Sequence, residues 1–179
     1  MRRSLKTVAA LAALGISVVA SAQLSSSPPV DFTPTNVSVK AGLALPLDSS
    51  LTNVAKTFIA LGVEYQLPTS LVKGSETYLD LEWFTKSFQG ERTNVLPFTI
   101  NQRFYTGSES IPGQRKYVFV GAGVSFVDIG SSDTVISARA GFGAELSEQI
   151  FGEVAGYIGD QTGSGIKPNA VSFFLGYRF

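Results

Sequence analysis

Nine ionisable residues stand inside segments that are otherwise apolar or small: Lys40, Glu64, Asp80, Glu82, Arg103, Arg139, Glu145, Glu153 and Arg178. Such groups can move protons, bind ions or pair with one another. Asp80 and Glu82 lie two apart, as two carboxylates of a hydrolase could. Glycoside hydrolysis, however, needs a cleft about 5–9.5 Å wide between its carboxyl groups, and neighbours on one strand face leave no cleft. The chain has no histidine and no cysteine, so a Ser–His relay and thiolate metal ligands are both missing. Gly121-Ala122-Gly123-Val124-Ser125 is glycine-rich, but a phosphate loop must open a helix, and here a strand pattern continues through Phe126. The carboxylates show no calcium-loop spacing. The expectation is that the chain is not an enzyme, with no catalytic residue, no cofactor and no metal site, and that the nine charges act on each other.

The elements that must position those charges are strands. In Ala170–Phe179, Val171, Phe173, Leu175, Tyr177 and Phe179 share one face, and Ala170, Ser172, Phe174, Gly176 and Arg178 share the other. That alternation has the period of a β-strand. The same pattern predicts seven earlier strands: Thr35–Leu47, Thr57–Leu67, Glu76–Lys86, Asn94–Tyr105, Lys116–Val127, Thr134–Leu146 and Gln149–Asp160. In nearly every strand the charges fall opposite the aliphatic face. Gln102 is the blemish on the apolar face of the fourth strand, and Pro97 costs that strand a ladder hydrogen bond.

Which face points inward follows from energy. A strand in lipid must have both edges paired, so only a closed barrel spans a membrane with strands. With the charges outside, each Arg or Lys near mid-membrane would cost about 2–4 kcal/mol. A soluble barrel of lipocalin type would reverse the arrangement, with aliphatic side chains inside. The aliphatic belt, the closing aromatic and an export signal favour the membrane. The fold expected is all-β: an eight-stranded antiparallel up-and-down transmembrane β-barrel over residues 35–179.

The export signal is Met1–Lys6, which is basic, then an uncharged apolar stretch from Thr7 to Val19, then Ala20-Ser21-Ala22. This reads as a signal peptide over residues 1–22, cleaved after Ala22; the apolar stretch is short for a membrane anchor of about 20 residues. Residues 23–34, rich in Ser and Pro, form a flexible periplasmic leader or, alternatively, a contact segment for an envelope partner. Removing Arg2, Arg3 and Lys6 takes Lys+Arg from 14 to 11 against 14 Asp+Glu, a net charge of −3. That balance gives no basic patch for nucleic acid.

Only Ser147 and Glu148 separate the sixth and seventh predicted strands, so that turn belongs on the periplasmic side. Trp83, Phe98, Phe126 and Phe173 then fall toward the outer rim, and Tyr65, Phe104, Tyr177 and Phe179 toward the periplasmic rim, as two aromatic girdles would. The outer loops are short: Asp48–Lys56, Ser87–Thr93, Asp128–Asp133 and Gln161–Lys167.

The closing Gly176-Tyr177-Arg178-Phe179 and the Gly-rich strands Tyr117–Val127 and Ala138–Leu146 resemble the small eight-stranded outer-membrane barrels of the OmpA, OmpX and OmpW type, over residues 35–179. That resemblance implies location in the cell outer membrane, an assembly signal at Tyr177 and Phe179 read by the barrel-assembly machinery, and outer-membrane lipid as surroundings. No appended peptidoglycan-binding domain of the kind full OmpA proteins carry is expected, and the short loops differ from the projecting loops of OmpX-type adhesins. The role expected is structural: a monomer supporting envelope integrity or binding envelope components, its lumen closed by salt bridges. The alternative is a narrow pore or an OmpW-like conduit for small solutes.

Overall fold

The computed structural model describes residues 36–86, 93–106 and 113–179. The expected signal peptide and leader, and most of the loop at Ser87–Thr93, lie outside the described residues. The strands are β1 (Val37–Pro46), β2 (Phe58–Gln66), β3 (Glu76–Thr85), β4 (Asn94–Thr106), β5 (Lys116–Ile129), β6 (Ser131–Glu145), β7 (Ile150–Gly159) and β8 (Ala170–Arg178), with one short helix, α1 (Ser49–Val54). Each strand pairs antiparallel with the next, and β1 pairs with both β2 and β8, which closes an eight-stranded up-and-down barrel. Closure leaves no unpaired edge, the condition for strands to stand in hydrocarbon.

The alternation sets the two surfaces. Leu43, Ile59, Leu61, Ile100, Val120, Ile136, Ile158 and Leu175 face outward and are exposed, Ile136 to 75 %. The inward-facing Lys40, Glu64, Asp80, Glu82, Arg103, Arg139, Glu145 and Glu153 are buried, and Arg178 is half-buried. This is the inverse of a water-soluble domain, in which charged side chains mostly face water and large apolar patches are rarely left open. Gln102, the apolar-face blemish, is answered by its cross-strand neighbour Thr77: its amide donates to Thr77 Oγ1 at 2.9 Å, and Ser75 Oγ donates to its carbonyl at 2.8 Å. A polar pair that satisfies itself can stay on the outer face at little cost.

Three expectations at the strand ends are corrected. Asp48–Lys56 is not simply a loop: Asp48 caps α1, its carboxylate accepting from Ser50 N–H at 3.0 Å, and Leu51 is buried in the apolar cluster at that end. An Asp-Ser-Ser start followed by a buriable Leu is an N-cap signature. Asp128–Asp133 is not a loop either. The β5–β6 ladder continues to Ile129↔Ser131, and Gly130 alone makes the turn at φ 70°, a conformation that other residues adopt at a cost of roughly 1–2 kcal/mol. The β6–β7 turn is slightly longer than expected, spanning residues 146–149, with Ser147 Oγ accepting from Ile150 N–H at 3.0 Å.

The interior is layered. Near the α1 end it is apolar, with Ala44, Phe58, Phe84, Val95, Val127 and Val135 buried and Leu51 and Ile166 drawn in from the connections. Its middle holds most of the charges. Rings fill the space that glycines leave: a side chain on Gly143 would meet the Tyr117 ring, and one on Gly176 the Phe151 ring. An eight-stranded barrel is just wide enough for side chains to fill it, so large inward rings require small neighbours.

Candidate functional site: the charged lumen

Seven of the nine charged residues meet in one central cluster. Lys40 of β1 lies at its heart, with Nζ 2.7 Å from Glu82, 2.8 Å from Asp80, 3.1 Å from Glu64 and 3.3 Å from Glu153. Arg103 of β4 reaches Glu64 at 2.8 Å and Glu153 at 3.3 Å. Arg139 of β6 pairs with Asp80, with Glu82 at 3.1 Å and with Glu153 at 3.5 Å. The side chains of these seven residues are at most 3 % exposed. Three cations therefore face four carboxylates. Two tyrosines offset the surplus negative charge: Tyr117 donates to Glu153 at 3.0 Å, and Tyr157 donates to Glu82.

Glu145 and Arg178 stand apart at the end where β1 begins and β8 finishes. Arg178 pairs with Glu145 at 2.5 Å, and Arg115, just before β5, pairs with it at 2.7 Å. Gly113 N–H donates to the same carboxylate at 2.9 Å. The hydrogen bond from Arg115 to Glu145 holds that guanidinium even more firmly protonated than usual. Among the described residues, no ion pair joins this trio to the central cluster. The charges form two groups rather than one network; with Glu76, which lies 3.7 Å from Arg103 at the margin of the central cluster, the two groups together hold five cations and six carboxylates.

The rings between the charges bind them too. Arg103 stacks over Tyr78 and Tyr117 at 4.3 and 4.7 Å, Arg139 over Phe119 at 4.5 Å, and Lys40 over Phe174 at 4.7 Å. A desolvated cation over a ring gains roughly 2 kcal/mol. Sequence reasoning gave these aromatics no role; their shared parity with the charges was the available signal. It missed Arg115, which precedes its strand and so has no strand parity to read.

Tyr177 and Phe179 do not join the charges. Their rings meet edge to face at 5.1 Å, and Phe179 N–H donates to the Val37 carbonyl at 3.2 Å, which ties the end of β8 to β1. Asp80 and Glu82 are both consumed by Lys40 and Arg139, with no cleft between them.

The sequence matches no family model and no curated protein. The structure does have known likenesses. The N-terminal β-barrel domain of Pseudomonas aeruginosa OprF aligns with a TM-score of 0.50 at 16 % identity, covering 82 % of this chain and 100 % of that one. The outer-membrane enzyme PagL aligns with a TM-score of 0.54 at 16 % identity, covering 79 % and 98 %. The attachment invasion locus protein Ail of Yersinia pestis aligns with a TM-score of 0.50 at 13 % identity, covering 81 % and 99 %. The fold is thus that of the small eight-stranded outer-membrane barrels. The likeness to PagL corrects the expectation that the chain is not an enzyme. An outer-membrane enzyme is built on this same architecture, and chemistry belongs to sites carried by a fold rather than to the fold itself. No activity is assigned to the chain.

Proposed function

We propose that this chain is an exported outer-membrane barrel with a closed lumen, acting as a structural component that supports the envelope or binds other envelope components. In this reading the chain is cleaved after Ala22, inserted by the barrel-assembly machinery through the Tyr177 and Phe179 signal, and works as a monomer surrounded by outer-membrane lipid. The observation that carries it is the central cluster: three cations and four carboxylates from six strands, all buried and mutually paired. Ions would have to break several desolvated pairs to pass, and breaking even one such pair costs about 3–5 kcal/mol. The apolar layer beside α1 adds a second obstruction. A narrow conduit for small solutes is the weaker reading, because it needs space that Tyr78, Tyr117, Phe119 and Phe151 occupy.

Planar-bilayer recording tests the proposal. Inserted protein should give no discrete openings, and insertion itself is checked by a mobility difference in SDS gels with and without boiling. Reproducible unitary currents from inserted protein would overturn the closed-lumen reading.

A further inference from the structure

The outer face of the barrel is not uniformly bulky. Two adjacent cross-strand rows make a groove over β5–β8. One row runs Lys116↔Ala144↔Gly152↔Leu175, and the next runs Val118↔Phe142↔Val154↔Phe173. Ala144 and Gly152 form a low floor, Phe142, Phe173 and Val118 stand beside it, and the groove, open on its outer side, has a volume of about 590 Å³. It starts at Lys116, the first residue of β5, and reaches Phe173 in the middle of β8. The groove therefore slants from one membrane edge toward the bilayer interior, as barrel strands tilt.

The charge at its mouth is distinctive. Of the basic residues nearby, Arg115 and Arg178 are both engaged by Glu145. Lys116 is exposed and faces outward, and it pairs with no carboxylate among the described residues. An apolar groove lined by Val118, Phe142, Val154 and Phe173, with the Lys116 ammonium at its interfacial end, is complementary to a single amphiphile: a chain in the groove and a phosphate on the lysine. We infer that this groove is a binding site for one phospholipid, its acyl chain lying over Ala144 and Gly152 between Phe142 and Phe173, and its phosphate held by Lys116. The inference rests on the membrane reading above.

The test uses protein expressed from the full-length sequence, purified from the membrane fraction, exchanged through vesicles of phosphatidylglycerol and weighed by native mass spectrometry. Wild type should retain one phosphatidylglycerol. Gly152→Leu should cut retention at least tenfold. The new side chain is not strained, because a Cβ there meets only the Phe174 carbonyl at 3.8 Å, and it fills the floor. Lys116→Gln should cut retention about fivefold, the worth of one lysine at an anionic surface. Gly156→Leu is the control: its Cβ is equally unhindered, at 3.9 Å from the Ala140 carbonyl, but it lies outside the groove and should leave retention unchanged. Boiled and unboiled gels confirm that each variant is folded, and Ala144→Leu replaces Gly152→Leu should the latter not fold. A wild type that retains no lipid overturns the site, as does equal retention by the floor variant, or equal loss in Gly156→Leu. Wild type absent from the membrane fraction would overturn the membrane reading as well, whereas inserted protein without lipid overturns this inference alone.

Discussion

Replacing Lys40 with Met asks the most of the lumen. Among the described residues, Lys40 alone lies within 3.3 Å of four carboxylates, and Met keeps its length while removing its charge. The central cluster changes from three cations against four carboxylates to two against four. Arg103 still covers Glu64 and Glu153, and Arg139 still covers Asp80, Glu82 and Glu153, so the loss is that of one well-placed partner rather than of all pairing. Removing one member of a buried ion pair costs about 3–5 kcal/mol. Spread over a urea slope of about 2 kcal/mol/M, that lowers the unfolding midpoint by roughly 2 M. The assay is the heat-modifiable gel band followed against urea in lipid vesicles, at equilibrium in both directions. Adding Glu153→Gln restores the original one-charge imbalance, so the double variant should recover at least half of the loss, a coupling that only neighbours show. An unchanged midpoint in Lys40→Met, or a double variant no better than the single, would refute the argument that these pairs hold the lumen together.

The arginines of the rim trio are partly exposed, Arg115 to 25 % and Arg178 to 17 %, and can turn to water once the buried Glu145 charge is gone, so Glu145→Gln should cost only about 1–2 kcal/mol by the same unfolding assay; a loss as large as that of Lys40→Met would show that the two groups are coupled. Gly143→Val drives a side chain into the Tyr117 ring and should destabilise by about 1–3 kcal/mol through overpacking, whereas the outward Gly156→Val should stay near wild type. Gly130→Ala, at φ 70°, should cost roughly 1–2 kcal/mol with the barrel otherwise intact, as read by its circular dichroism. Leu51→Ala should cost about 2 kcal/mol from lost burial and raise proteolytic cleavage within α1 first, because a six-residue helix has little stability of its own.

Much of the fold was legible because it is local. Alternation over Val37–Pro46 or Ala170–Arg178 is a period-two signal, and the wall of a barrel obeys it strand by strand. Boundaries blurred where chemistry other than alternation ruled. Asp48-Ser49-Ser50 capped a helix that the strand pattern did not announce, and Gly130 let two strands run on to within one residue of each other. Gln102 looked like an error in the pattern until its partner across the β3–β4 ladder was known, because register depends on two strands at once.

Eight strands, the inward face of each, and the common parity of Lys40, Glu64, Asp80, Glu82, Arg103, Arg139, Glu145, Glu153 and Arg178 can all be read along the chain. The sequence could not determine who pairs with whom. Lys40 and Glu153 are 113 residues apart, and the strands that carry them, β1 and β7, are not neighbours in the sheet. Their meeting depends on barrel diameter and on the stagger accumulated around all eight strands. Parity is a property of one strand, whereas reach across a lumen is a property of the closed ring. Only closure could therefore separate Glu145 and Arg178 from the central seven, recruit Arg115 from outside the strand pattern, and fit each cation between carboxylates and the face of a ring.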